Sequence, residues 1–313
     1  MALSPVLVLG AGVIGLSSAI RLREKGHSVR LWAKRFSPYT TSDISAAIWY
    51  PYKAAPEDQV RRWGIESLAE FVELSKREGG GVFLCPGKKY FYRPMGDPWW
   101  AKEVPAYRRL EKGELGVGQR DGYAFTLPVA DMSHYLPYLR RRLEGSGGIL
   151  EEREVTSLDE ALEACPLVVN CTGLGSRELA KDENLYPIRG IVVLTESLPL
   201  PEFTMATDYP KGMIYVIPRR ESCILGGVAE DNRWEETATE EESARIHERC
   251  LELLPNLGHL KIIGTKVGLR PGREAIRLEV EDRSRGRVIH NYGHGGSGMT
   301  LSWGCADEVV QRV

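Results

Sequence analysis

The sequence predicts an α/β protein of two domains, each assembled from separated stretches of chain. Three observations carry this reading. An apolar run, LSPVLVL (residues 3–9), leads straight into GAGVIG and a helical apolar pattern. A second glycine loop, GHGGSG, opens another helix near the other end of the chain. Between them lies a strand-rich middle with no internal repeat and no low-complexity linker.

Taken in order, residues 3–9 form a strand, Ile14–Lys25 a helix and Ser28–Ala33 a second strand. Together they make a βαβ unit of about thirty residues. Thr40–Tyr52 has no clean period and reads as a loop placed for function or packing. Val60, Trp63, Leu68, Phe71 and Leu74 recur at helical spacing, so Glu57–Arg77 is an amphipathic helix. Gly79 to Pro128, rich in Gly, Pro, Tyr and Trp, reads as strands and irregular connections. Ser133–Leu143 is a helix; Arg153–Ser157 and Leu167–Asn170 are strands, the latter leading into NCTGLG. Gly190–Leu194, Met213–Ile217 and Cys223–Val228 follow as strands. Thr239–Leu254 is a helix with a capping box, Thr239 to Glu242, and a stop at Pro255. Lys261–Leu269 and Val288–Asn291 are strands, and the last helix starts near Met299.

Composition excludes several classes. With 313 residues, 42% hydrophobic and 27% charged, the chain has ample material for a sizeable core. A net charge of -2, with only short basic runs such as Arg140–Arg142, argues against a nucleic-acid partner. No apolar run approaches the ~18 residues of a membrane span. The N-terminus lacks the pattern of a signal peptide and the C-terminus lacks Ser-Lys-Leu, so a cytoplasmic location is expected. The six cysteines are scattered without a CxxC, which reads as buried thiols and no metal site.

The chemistry starts at Gly10, Gly12 and Gly15. In GxGxxG the first glycine makes a tight turn, the second admits a pyrophosphate and the third lets helix and strand pack closely. The helix start then offers free N–H groups and a positive dipole end to phosphate. A Rossmann-like dinucleotide site follows. Such sites carry an acid about 20 residues on, at the end of the second strand, for the ribose hydroxyls. Here Ala33, Lys34 and Arg35 stand in that place. Two cations there favour a 2′-phosphate and hence NADP; alternatively they touch ribose or pyrophosphate oxygens, or only solvent. The second loop, Gly293–Thr300, is a further anion-friendly helix start. It suits a flavin, whose reduced form carries negative charge.

GAGVIGLSSA, TTSDISAAIWYPY, VVNCTG, YVIP, LGG, GLRPGREAIRLE and VIHNYGHGGSGMTLSWGCA stand in the order seen in D-amino-acid oxidases. From Val6 onward the chain resembles that family. The resemblance implies a Rossmann-like FAD-binding domain plus a substrate-binding domain with a mixed, largely antiparallel sheet. It assigns the first to 1–50, 128–185 and 278–313, and the second to 51–127 and 186–277. It implies noncovalent FAD, a D-amino acid substrate and dioxygen as acceptor; a homodimer stays open.

The same resemblance places the site. Arg270 matches the arginine that grips the substrate carboxylate, Tyr215 the tyrosine that bonds the same group, and Gly296 the glycine whose carbonyl receives the amine. These three form the expected catalytic set, with Tyr50 and Tyr52 shaping the side-chain end. The expected flavin contacts are Gly10, Gly12, Val13, Ile14, Gly15, Lys34, Arg35, Thr41, Ser42, Ala47, Ile48, Val155 and Thr172. Gly268, Arg270, Gly295, Gly296, Ser297, Gly298, Met299 and Thr300 complete them. Mammalian members carry another tyrosine four residues before the position of Tyr215; here Lys211 stands there, with Tyr209 the nearest substitute. His290 and His294 are expected to be structural.

The activity implied is oxidation of neutral D-amino acids by hydride transfer to flavin N5, giving 2-oxo acid, ammonia and hydrogen peroxide. D-aspartate oxidase is a rival that needs an extra cation; Glu230, after LGG, would repel its substrate if it faced the pocket. Glycine or sarcosine oxidase is another rival, and an NADP-binding sensor without catalysis is one of a different class.

Overall fold

The computed structural model describes residues 4–198 and 200–313. In chain order it begins β1 (Val6–Leu9), α1 (Val13–Glu24), β2 (Val29–Ala33), α2 (Thr41–Ile44) and α3 (Glu57–Ser75). Then come β3 (Val82–Phe91), β4 (Arg108–Arg109), β5 (Asp121–Ala130), α4 (Met132–Gly145), β6 (Ile149–Glu152), α5 (Leu158–Ala164) and β7 (Leu167–Asn170). The short α6 (Ser176–Leu179) precedes β8 (Tyr186–Glu196), β9 (Phe203–Ala206), β10 (Ile214–Pro218), β11 (Ser222–Gly226) and β12 (Glu230–Asp231). The chain closes with α7 (Glu240–Leu253), β13 (Ile262–Gly272), β14 (Arg277–Arg283), β15 (Gly286–Tyr292) and α8 (Gly298–Gln311).

Two sheets organise these elements. The first has the order β14-β15-β7-β1-β2-β6. All its pairs are parallel except β14 with β15. All four β1 residues are buried, as a strand covered on both faces requires. The second sheet runs β12-β8-β11-β10-β9-β3-β5-β4, with β13 also paired to β8. Only β3 with β9 is parallel there, so this sheet is mixed and largely antiparallel.

Helix α8 joins the two ends of the chain. It packs on α1 and α3, and a Cβ on Gly304 would stand 2.4 Å from the Trp63 carbonyl oxygen. Glycine is what lets α3 and α8 approach so closely. Trp63 Nε1 donates to buried Glu308 at 2.6 Å, and Trp303 Nε1 to the Tyr135 hydroxyl at 3.0 Å. These two indole rings are thus buried with their N–H groups satisfied.

Several expectations need correction. The strand expected at Arg153–Ser157 lies earlier, at β6; Arg153 is the first residue past it. Leu3, the start of the first expected strand, lies outside the described residues, and β1 begins at Val6. The stretch Thr40–Tyr52 contains α2, capped by Thr40 and Asp43, and a bridge from Ile48 to Val129. Helix α5 and strand β14 were not expected from the sequence. The capping box on α7 is present as read, with Glu242 N–H donating to Thr239 Oγ1 at 3.1 Å.

Candidate active site

A cavity of about 950 Å³ lies between the sheets and runs from the C-terminal ends of β1 and β2 to β8, β10 and β13. That is near the upper end of small-molecule sites. Its first wall is the turn after β1. Gly10 takes φ +102°, and a Cβ there would stand 2.5 Å from the Cys171 carbonyl oxygen. Gly12 precedes α1 in extended conformation, and a Cβ there would meet only Ser42 Oγ, at 3.1 Å. The turn therefore leaves an open cradle against the α1 amides. Val13 and Ile14 line it, and the Val13 N–H donates to Ser42 Oγ at 3.1 Å.

The second wall is the start of α8. Gly295, Gly296, Gly298, Met299 and Thr300 face the cavity, and a Cβ on Gly298 would meet nothing within 4 Å. This wall is zipped to residues 50–52. Tyr52 N–H donates to Ser297 Oγ at 2.6 Å, and that hydroxyl donates back to the Tyr52 carbonyl at 2.9 Å. Thr300 repeats the pattern with Tyr50, at 3.0 and 3.1 Å.

The third wall carries the charged group. Strands β8 and β13 pair with Gly190 opposite Gly268 and Ile188 opposite Arg270. The Arg270 guanidinium lies across Gly190: a Cβ there would stand 2.2 Å from Nη1 and 2.4 Å from Nη2. Nη1 donates to the Val228 carbonyl at 3.2 Å, which aims the fork. The Tyr215 ring lies over Gly226 and Gly227, where Cβ atoms would fall 2.1 and 2.3 Å from ring carbons. The LGG motif is thus the bed of Tyr215. Burial pushes the Tyr215 phenol up, against the opposing pull of nearby Arg270, so it stays protonated as a donor. Tyr52 packs its ring on Gly296, where a Cβ would lie 2.5 Å from Tyr52 Cδ1.

The structure brings nearly all the expected residues to this one cavity. Arg270, Tyr215, Gly296, Tyr50 and Tyr52 line it, as do Lys34, Arg35, Thr41, Ser42, Ala47, Ile48, Val155, Thr172 and Gly268. Two do not. Gly15 is away from the cavity because its place is against the strand: a Cβ there would stand 1.9 Å from the Gly10 carbonyl oxygen. Ser297 is fully buried with its hydroxyl turned to the Tyr52 backbone, so it holds the wall rather than forming it. Tyr209 does not replace the absent lid tyrosine. It meets Tyr92 edge-on and donates to Glu252 on α7, outside this cavity. Glu230 does not face the cavity either; Arg189 and Arg233 hold it, each at 2.7 Å.

Sequence reasoning missed other lining residues: Asn291, His294, Met205, Met213, Ile217 and Glu154 among them. Two carry buried polar atoms without a partner among the described residues, Asn291 Oδ1 and His294 Nε2. Burial pushes the His294 imidazole down to about 3, so it is neutral at working pH. His290, by contrast, is bonded to Glu281 at 2.8 Å and to Asn170 at 3.3 Å, a structural role. Asn291 and His294 belong to HNYGH, and that motif was the available signal. Two helix starts, a glycine cradle and orphaned polar atoms in one long cavity fit a dinucleotide such as FAD. Among the described residues no group of three His, Cys, Asp or Glu could hold a metal ion.

Comparison with known proteins accords with this geometry. The family described as FAD dependent oxidoreductase matches residues 5–312. A D-amino-acid oxidase of Rubrobacter xylanophilus is 45% identical over 306 residues, 97% of this chain and 94% of that protein. A D-amino-acid oxidase of Streptomyces coelicolor is 39% identical over 313 residues, 98% of this chain and 95% of that protein. Among solved structures, glycine oxidase from Geobacillus kaustophilus superposes with a TM-score of 0.79 at 17% identity, covering 99% of this chain and 95% of that one.

Proposed function

The chain belongs to the FAD-dependent oxidoreductase family, and from that premise we propose that it is a D-amino-acid oxidase acting on neutral substrates. The observation that carries the reading is Arg270, a fork-shaped cation laid on Gly190 in the same cavity as the dinucleotide cradle. We assign noncovalent FAD to residues 1–50, 128–185 and 278–313, and the substrate to 51–127 and 186–277. FAD held against the α1 and α8 starts would supply the two-electron oxidising chemistry, a hydride acceptor for the substrate α-hydrogen, with dioxygen as final acceptor and hydrogen peroxide as its product.

The chain's own residues do the positioning. Arg270 pairs bidentately with the substrate carboxylate, whose two oxygens match the guanidinium fork. Tyr215 donates its O–H to the same carboxylate. The Gly296 carbonyl accepts from the amine. Three fixed points make the site handed, and orientation of this kind contributes up to ~7–11 kcal/mol to a barrier. No strong general base is required. The imino acid released then hydrolyses to a 2-oxo acid and ammonia.

Neutral side chains follow from the cations in the cavity. Four line it among the described residues: Lys34, Arg35 and Arg153 at the β2 and β6 end, and Arg270 at the other. The side-chain end is Tyr50, Met205, Met213 and Ile217. D-aspartate would lack a second cation there. Glu230, engaged by Arg189 and Arg233, plays no part in that choice.

The reading includes a cytoplasmic enzyme, to which six buried free thiols are suited. It includes no nucleic-acid partner, on a net charge of -2, and no membrane partner. No described helix is long and apolar enough to cross a membrane. Sedimentation decides between monomer and homodimer.

The test is a substrate panel with peroxide detection on the yellow protein. D-alanine should far outpace L-alanine, D-aspartate, glycine and sarcosine. Equal peroxide from D- and L-alanine refutes the handed site; a nicotinamide nucleotide in the acid supernatant, in place of FAD, refutes the cofactor and favours the NADP-binding reading.

A further inference from the structure

A ribose diol is best held by an acceptor, and the end of β2 offers only cations. A lysine or a guanidinium can donate to a hydroxyl but cannot accept its proton. An acid at the end of this strand would accept from both hydroxyls. The structure supplies one just past the end of the neighbouring strand.

Strand β6 runs parallel to β2, with Ala33 opposite Glu152. The pairing continues one step beyond, since Arg153 N–H donates to the Ala33 carbonyl at 2.9 Å. Continuing that register sets Lys34 beside Arg153 and Arg35 beside Glu154, and Lys34 Nζ reaches diagonally to donate to Glu154 Oε1 at 2.5 Å. Both residues line the cavity. Oε2 has no protein partner among the described residues. Arg153 is held aside, its guanidinium 3.9 Å from the Trp32 ring centroid.

We infer that Glu154 is the acceptor for the adenosine ribose hydroxyls, taking over from β6 the role that β2 leaves vacant, with Lys34 as the residue that positions it. The inference rests on the FAD reading above. It also gives the cation at 34 a role. Lys34 is neutralised by Glu154, and a 2′-phosphate at this spot would meet a carboxylate. The site thus selects an adenosine with a free 2′-hydroxyl.

Two other carboxylates face the cavity, Glu178 on α6 and Glu236 before α7. Glu178 stands past the turn after β7, on the far side of β1 from β2.

The experiment strips flavin from the full chain and titrates it back, reading flavin fluorescence with FAD and with FMN, which has no adenosine. Glu154→Gln should raise the Kd for FAD about tenfold, as loss of a charge-assisted hydrogen bond at a solvated rim does. Its Kd for FMN should not move. Lys34→Glu combined with Glu154→Lys returns the acid to β2 and should bind FAD close to wild type. An unchanged FAD Kd in Glu154→Gln overturns the inference. So does an equal loss for FAD and FMN, which means damage to the fold, or a Glu178→Gln variant that is the sensitive one. A wild-type chain that takes up NADP and not FAD overturns the functional reading itself, a different result from any of these.

Discussion

Adding one methyl group to Gly190 tests the carboxylate clamp without touching the clamp itself. The backbone at Gly190 is ordinary strand, so alanine costs nothing in conformation and slightly favours β8. Its Cβ, however, would stand 2.2 Å from Arg270 Nη1, 2.4 Å from Nη2 and 2.5 Å from Cζ. Non-bonded carbon and nitrogen rest at about 3.5 Å, so the guanidinium must retreat by roughly 1 Å. A bidentate pair does not survive such a shift with both bonds aligned. A hydrogen bond to a charged group contributes about 1.5–3 kcal/mol, and each ~1.4 kcal/mol is tenfold in rate. We expect kcat/KM for D-alanine to fall about 10- to 100-fold in Gly190→Ala, with flavin content and melting temperature near wild type. The assay is steady-state peroxide production beside a flavin spectrum. Near-normal efficiency with intact flavin would refute the placement of Arg270 as the clamp.

Tyr215→Phe removes one neutral donor from the carboxylate and should cost less than Arg270→Ala, about tenfold in kcat/KM; a larger loss for Phe than for Ala contradicts the assigned roles. Ser297→Ala should lower the melting temperature by about 2–4 °C through loss of the bonds to Tyr52, while the Kd for FAD stays put. A calorimetric scan and a flavin titration decide this, and a weakened FAD with an unchanged melting temperature reverses it. Lys89 is buried, and desolvation lowers it from 10.5 to about 8 while its Nζ donates to the Tyr50 hydroxyl at 2.6 Å. Below pH 8 the folded state carries the full cost of the buried charge, and as pH rises from 8 to 10.5 the unfolded chain holds more protons, so stability rises in that window. Lys89→Met should therefore show its most favourable stability relative to wild type near pH 7. That difference should shift toward wild type by roughly 3 kcal/mol as pH approaches 10.5. Denaturant titrations at several pH values measure it, and a difference flat with pH removes the buried charge as its cause.

The central strands and the glycine loops were legible because their signals are local. VLVL is buried on both faces and reads as a continuous apolar run, and GAGVIG and GHGGSG mark backbone positions rather than side-chain contacts. What the sequence hid lies at the rims. Strands β6 and β14 are the two edges of the first sheet, and ILEE and RLEVEDR carry the charges an edge needs. Neither shows the apolar run of an inner strand. The same holds in the cavity. Arg270 and Tyr215 sit in recognisable motifs, yet their beds, Gly190 and Gly226–Gly227, are set by pairing across strands. Gly15 and Ser297 belong to the right motifs but face away, since a motif specifies neighbours in sequence and not the direction of a side chain. Glu154 was invisible because nothing near it in the chain announces its partner, 120 residues away.

The bonds that zip Tyr50 and Tyr52 to Thr300 and Ser297 join residues 245–250 apart. Helix α8, which supplies that side, also covers α1 and α3. During synthesis the first βαβ unit emerges early, but its outer layer waits until α8 has been made. Contacts of such sequence separation are slow to form, because loop closure precedes any gain from them. Until then Trp63 and the apolar face of α1 remain open to water, and this interval is when the nascent protein is most exposed to aggregation.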